Sequence, residues 1–225
     1  MPAAYVQYDT DTGAPLRGAD GRVLRVPTGQ PGLLLSPVTK LQPFDGYTDP
    51  SASEKKLVRD AFRKGDCWFN TGDVMNPQGM GHAAFVDRLG DTFRWKGENV
   101  ATLEVAAALC ACPGILEAAV YGVAVPGAEG RAGMALIGVE GELDLAAVAR
   151  HMRALPDYAR PLFLRVSGAL ETTATFKHKK QDLASQGFDP SLIADPLYVF
   201  DRARDAYVAL DRGRFAKIES GAMRL

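Results

Sequence analysis

Cysteine and histidine are both scarce: Cys67, Cys110, Cys112, His82, His151 and His178 are all that 225 residues supply. Their spacing makes neither a disulfide framework nor a four-ligand zinc pattern, so no metal site is expected and a reducing, cytoplasmic compartment is. The opening residues Met1 to Pro15 lack a basic stretch followed by an apolar core, so they do not read as a secretion signal. Long apolar runs are missing too. The best one, Ile115 to Val125, is interrupted by Glu117 and falls short of the roughly 18 residues a membrane helix needs. Charge of one sign is also lacking, because 26 Lys and Arg face 27 Asp and Glu for a formal net charge of −1. With no dense basic block either, nothing would hold a phosphate backbone, and nucleic acid is not an expected partner.

What is present is an ordinary globular composition, 47% hydrophobic and 24% charged, over a length that suits two units with separate cores. Residues 1–50 read as turns between short strands, with Ala19-Asp20-Gly21 before Arg22–Val26 and Pro31-Gly32 before Leu33–Leu35. Ser51 to Phe62 reads as one helix, capped by Ser51 or Ser53, with Leu57, Val58 and Phe62 on one side. Strands are expected at Cys67–Asn70, Ala83–Val86 and Thr92–Trp95. Beyond residue 100, Leu103, Ala106, Ala107 and Cys110 recur at helical spacing, and Pro113-Gly114 ends the pattern. A second helix is expected from an Asp144 cap to Pro156, with Leu145, Val148, Ala149 and Met152 inward. Apolar runs at Ala118–Val125, Met134–Val139 and Leu162–Val166 read as strands, which makes residues 91–190 a compact α+β unit.

Three segments carry chemistry. In Trp68-Phe69-Asn70-Thr71-Gly72-Asp73 a strand runs into a turn that presents a carboxylate, a group suited to accepting from two neighbouring ribose hydroxyls. Taken alone, Thr-Gly-Asp is also ordinary turn chemistry. Phe85 to Glu104 clusters charges around Gly90, which can absorb a backbone rotation, and Gly97, which permits a tight turn; a charged surface hairpin before a capped helix is the plainer reading. Glu171 to Lys180 is a Thr-rich loop ending in a basic cluster, which composition alone makes a solvated loop. Gly127, Gly130 and Gly133 recur every three residues but open no helix, so they read as a strand-connecting loop rather than a dinucleotide site. Arg131 beside them is a candidate contact for a ligand phosphate.

In their order and spacing the three segments resemble the adenylate-forming ligase superfamily, and within it the fatty acid transport protein/very-long-chain acyl-CoA synthetase family. The resemblance rests on Phe69-Asn70-Thr71-Gly72-Asp73, on Phe85 to Val100, on Glu171 to Lys180, and on Asp195 to Arg202. It departs from the wider superfamily where Asp87-Arg88-Leu89-Gly90-Asp91 replaces a Gly-Arg-x-Asp opening, and where Phe176 precedes the lysine in place of glycine. The resemblance implies an α+β fold. Residues 1–89 would be the end of a large-domain β-barrel, 90–200 a mobile lid, and 201–225 a strand–helix tail on the lid. It further implies that Asp73 and Arg88 bind the nucleotide ribose and that Gly90 and Asp91 form a hinge. Gly97, Glu98 and Asn99 would line the path of CoA, and Lys177 would be the catalytic lysine of adenylation.

The implied reaction is ATP-dependent ligation of a long- or very-long-chain fatty acid to CoA. ATP and CoA are its co-substrates, and Mg2+ would be held mainly by an upstream ligase domain. The phosphate-binding loop, the magnesium and adenine segment and the fatty-acid tunnel find no counterpart in residues 1–225, so the chain is expected to be a C-terminal portion that does not adenylate alone. A non-catalytic nucleotide- or CoA-binding or regulatory module derived from such a ligase is the alternative. A peripheral membrane association of the complete protein is left open.

Overall fold

The computed structural model describes residues 3–10, 12–168 and 176–225. The chain divides into two compact units, Met1–Gly90 and Asp91–Leu225.

In the first unit, strands β1 (Ala4–Val6), β2 (Gly32–Pro37), β3 (Leu57–Arg59), β4 (Cys67–Gly79) and β5 (His82–Arg88) form one sheet. Its path is β1-β2-β4-β3, with β5 also on β4, and every pairing is antiparallel. Ala4, Val6, Leu33 and Leu35 are fully buried and, with Val23, Val58 and Ala61, make its core. Arg22 to Val26 forms only isolated bridges, Val6 to Arg25 and Arg17 to Val23.

The helix expected over Ser51–Phe62 is cut to α1 (Pro50–Lys55), and its cap is Asp49, whose carboxylate accepts from the Ser51 amide. Pro50 supplies a preset φ for the first turn. Helical spacing loses beyond Lys55 because Leu57–Arg59 finds β4 instead, with Leu57 opposite Phe69 and Val58 opposite Trp68. Val58 is buried there, and Phe62 packs edge-on against Trp68 at 5.0 Å. A cross-strand pair offers these side chains more burial than a short, marginal helix would.

The second unit holds a two-stranded hairpin, β6 (Phe93–Trp95) with β7 (Glu98–Val100), and a five-stranded sheet. The sheet comprises β8 (Ile115–Ala124), β9 (Arg131–Val139), β10 (Phe163–Ser167), β11 (Leu197–Asp201) and β12 (Ala206–Ala209), in the order β12-β11-β10-β9-β8. Only β9 and β10 run parallel, and α3 (Leu145–Met152) provides the crossover that a parallel pair requires. α2 (Thr102–Cys110), α4 (Phe176–Gln186) and α5 (Arg212–Glu219) complete the unit. Phe163, Met134, Ile137, Leu109 and Met152 lie at the centre of its core.

Asp144 caps α3 by accepting from the amides of Ala146 and Ala147. Val148, Ala149 and Met152 are buried, and the helix stops four residues short of Pro156. On α2 the inward face is Thr102, Val105 and Leu109, whereas Leu103 is 45% exposed and Cys110 is exposed. The expected face was therefore displaced, because alanines at 106, 107 and 108 make the helix apolar on more than one side and leave periodicity without a unique answer.

The glycines read as a loop are divided between strands and loop. Gly122 on β8 and Gly133 on β9 are cross-strand partners, and only 125–130 connects the strands. A Cβ on Gly122 would lie 2.7 Å from Phe93 Cβ, and one on Gly133 would lie 3.3 Å from the Phe93 ring. The two glycines thus form the recess that seats Phe93 and docks the β6–β7 hairpin on the sheet.

Candidate functional site

In the first unit the carboxylate turn interrupts β4 without ending it. Leu33 pairs with Val74 and Leu35 with Asn70, so Leu34 alone faces Thr71, Gly72 and Asp73. Three side-chain hydrogen bonds hold this bulge. Thr71 Oγ1 donates to the Leu34 carbonyl at 3.0 Å and accepts from the Asp73 amide at 3.0 Å, and Asn70 Oδ1 accepts from the Gly72 amide at 3.0 Å. Gly72 takes φ +79°, a region open to glycine at little cost, and its carbonyl accepts from the Leu89 amide at 2.8 Å. The plainer turn reading is what these bonds show: an Asx turn at Asn70 and a Ser/Thr turn at Thr71 fix the backbone from which Asp73 projects.

Asp73 sits opposite Arg88 in the ladder, and Arg88 Nε lies 3.3 Å from Asp73 Oδ1. That is a charge contact without hydrogen-bond geometry, for Oδ1 is shielded from solvent and finds no hydrogen-bond partner. With side chains 55% and 27% exposed, the pair contributes at most about 1 kcal/mol to stability. Its consequence is orientation: a carboxylate with spare accepting capacity next to a donor-rich guanidinium. Asp87, the neighbour of Arg88, is wholly buried and accepts from the Arg88 amide at 2.8 Å. Lys56 Nζ lies 3.3 Å from where a Gly72 side chain would begin. Sequence pattern alone marks neither residue. Asp87 reads there as one more charge in a charged stretch, and Lys56 as part of a helix that the structure ends before it.

In the second unit, Lys96 at φ +51° and Gly97 at φ +85° close the β6–β7 hairpin in a two-residue turn with both central residues left-handed. A side chain at Gly97 would meet nothing within 4 Å, so the glycine serves backbone conformation rather than space. Phe93, Trp95 and Val100 point inward, and Arg94, Lys96, Gly97, Glu98 and Asn99 are exposed. Arg94 Nε donates to the Gly97 carbonyl at 3.2 Å. Trp95 bridges to Gly130, where any Cβ would collide with the Arg94 carbonyl. Lys96 donates to the Leu225 carbonyl at 3.2 Å; burial and the nearby Arg202 lower its pKa against the pull of Asp157.

Gly90 and Asp91 stand at the division between the two units. Lys177 stands in the first turn of α4, and the Glu171–Thr175 stretch before it lies outside the described residues. Arg131 opens β9, exposed, opposite Ala124. Among the described residues, no group of three His, Cys, Asp or Glu converges as a metal site, and no helix is long and apolar enough to cross a membrane.

Residues 104–177 match the AMP-binding enzyme C-terminal domain. The chain is 63% identical over 211 residues to the medium/long-chain-fatty-acid–CoA ligase FadD6 of Mycobacterium tuberculosis, covering 92% of this chain and 35% of that protein. To the human long-chain fatty acid transport protein 3 it is 47% identical over 229 residues, covering 100% of this chain and 34% of the relative. Among solved structures, ATP-bound MatB from Rhodopseudomonas palustris superposes with a TM-score of 0.61 at 20% identity, over 81% of this chain and 34% of that one. The AMP complex of O-succinylbenzoate CoA synthetase from Bacillus subtilis gives 0.59 at 21% identity, over 81% and 33%. The chain therefore spans about a third of the length of the proteins it matches.

Proposed function

The chain belongs to the fatty acid transport protein and long-chain acyl-CoA ligase family of adenylate-forming enzymes, as a C-terminal portion, and from that premise we propose that it supplies the ribose clamp, hinge and lid of a ligase joining long-chain fatty acids to CoA. Two steps are involved. The fatty carboxylate attacks the α-phosphate of ATP and expels pyrophosphate, giving an acyl-adenylate; the CoA thiol then displaces AMP and gives up its proton, giving the thioester.

The observation that carries this reading is the Asp73–Arg88 pair, set opposite each other across β4 and β5 and aimed by the Asn70 and Thr71 turns. Asp73 would accept from the two ribose hydroxyls, and Arg88 would hold that carboxylate and donate to the same sugar. Lys177 would stabilise the charge that develops between carboxylate and α-phosphate, a task for a cation aimed at the transition state. Gly97, Glu98 and Asn99 would line the CoA arm in the second step, and the exposed left-handed turn at 96–97 leaves their backbone open to a ligand. Gly90 and Asp91 would be the hinge between the two arrangements, a role consistent with the division of the chain there.

We read the first unit as the end of the large-domain barrel and residues 91–225 as the lid with its strand–helix tail. The described residues offer no converging metal ligands, so no step is assigned to Mg2+, which the upstream part of the enzyme would hold. The complete protein would work in the cytoplasm or at a membrane surface.

The test is completion. The chain by itself should show no fatty-acid-dependent ATP–pyrophosphate exchange. Joined in place of the matching third of the Mycobacterium tuberculosis relative, it should support both exchange and acyl-CoA formation. Robust exchange by the chain alone would refute the division of labour. A folded but inactive chimera, together with AMP or CoA binding by the isolated chain in calorimetry, would favour the regulatory module.

A further inference from the structure

α4 is held against the second unit in two ways. Leu183 and Ala184 pack on the apolar core, and just beyond its end Phe188 stacks on Phe163 at 4.3 Å. Two polar contacts add direction. At its last residue, Gln186 Oε1 accepts from Arg165 at 2.6 Å, and Arg165 Nε is paired with Asp195 at 2.6 Å. Near its start, Lys180 Nζ donates to Thr102 Oγ1 at 3.1 Å across 78 positions of sequence.

The second contact is oddly placed for stability alone. Thr102 is fully buried and opens α2, so the ammonium sits at the positive end of a helix dipole, with Glu104 in the first turn to offset it. What it does achieve is geometric. Thr102 follows Asn99 by three residues, directly after the β6–β7 hairpin, and Lys180 follows Lys177 by three within α4, less than one helical turn. One hydrogen bond therefore ties the element bearing the proposed adenylating lysine to the root of the hairpin bearing the proposed CoA-path residues.

We propose that Lys180 is a positioning residue, which through Thr102 fixes the start of α4 relative to the 93–100 hairpin and so sets where Lys177 is delivered. The inference rests on the reading of Lys177 given above. A clamp of this kind matters because catalysis by an aimed cation falls steeply with displacement: about 1 Å of misplacement can cost on the order of 100-fold. The apolar contacts of Leu183 and Ala184 hold α4 to the core, but nonpolar packing is less particular than a hydrogen bond about rotation on the helix axis.

The experiment uses the ligase completed with this chain and compares Lys180→Met, Lys180→Arg, Thr102→Val and the double variant Lys180→Met/Thr102→Val. Lys180→Met should slow fatty-acid-dependent pyrophosphate exchange about 10- to 100-fold, while thioester formation from supplied acyl-adenylate stays within about twofold. Thr102→Val should reproduce the effect, the double variant should be no worse than either single one, and Lys180→Arg, which keeps a donor, should recover most of the rate. Amide hydrogen exchange of residues 176–181 should accelerate in the Met and Val variants with the melting temperature little changed. Full exchange activity in Lys180→Met, or equal loss of both half-reactions with a matching fall in melting temperature, would overturn the proposal. Lys177→Ala run alongside separates the two readings: if that variant still adenylates, the assignment of Lys177 fails, whereas the hydrogen-exchange result judges the tie between α4 and α2 by itself.

Discussion

At the scale of single residues, the first unit shows how a carboxylate is aimed. Asp73 is positioned by backbone donors gathered by Asn70 and Thr71, and its charge is met by Arg88 at 3.3 Å. Hydrogen bonds to a charged acceptor are worth about 1.5–3 kcal/mol each, so in the completed ligase Asp73→Ala should lower kcat/KM for ATP by about 10- to 100-fold. The same variant should lose discrimination against 2′-deoxy-ATP; retained discrimination would place the ribose elsewhere. Asp66 makes a different prediction. Burial pushes its carboxyl up, but the Trp68 indole at 3.0 Å and the Phe62 and Arg63 amides at 3.1 and 3.2 Å outweigh that and hold it below the ordinary value of 3.8. A lowered pKa in the folded state means that the unfolded chain binds the proton more readily, so the stabilisation is complete above the unfolded value and lost as pH falls through the folded one. Melting curves should therefore show Asp66→Asn less stable than the parent at pH 7, with the gap closing below about pH 4. The residues fell into two groups by legibility. Asp73 and Arg88 stand out because they belong to an ordered set of segments, whereas the approach of Lys56 to Gly72, the burial of Asp87 and the bond from Lys180 to Thr102 depend on tertiary placement, which no local pattern encodes.

At the scale of elements, the regular strands were legible wherever a continuous apolar run had clear ends, as at β8, β9 and β10, and so was α3 through its Asp144 cap. Two elements differ from what local pattern predicts, each for a physical reason. The helix over Ser51–Phe62 gave way to β3 because a long-range strand pairing decided the fate of Leu57 and Val58. On α2 the alanines removed the contrast that marks an inward face. Of the glycines read as a loop, Gly133 lies on β9 instead, because sequence spacing does not reveal what a missing side chain makes room for: Phe93 at Gly133 and the Arg94 carbonyl at Gly130. The hairpin's docking can be tested through them. Gly130→Ala places a Cβ against that carbonyl at φ +81°, and should destabilise the second unit by about 2–3 kcal/mol. Gly127→Ala, at φ +72° with nothing within 4 Å, should cost no more than about 1–2 kcal/mol. Denaturant unfolding of both variants measures the difference, and equal losses would mean that backbone conformation alone accounts for both.

At the scale of the whole molecule, two units with separate cores meet in sequence at Gly90 and Asp91. A Cβ at Gly90 would meet nothing within 4 Å, so Gly90→Pro acts by fixing φ rather than by crowding. In the completed ligase it should slow overall turnover at least about tenfold while leaving pyrophosphate exchange within about threefold, because under the proposed hinge only turnover would require both arrangements of the lid. Unchanged turnover would move the hinge elsewhere. The central claim is that one lid serves two chemical steps with different residues, and the half-reactions of Lys177→Ala test it most directly. Acyl-adenylate formation, read as fatty-acid-dependent pyrophosphate exchange, should fall at least about 100-fold, while thioester formation from supplied acyl-adenylate and CoA stays within about twofold. An equal loss in both half-reactions, or none in either, would contradict it.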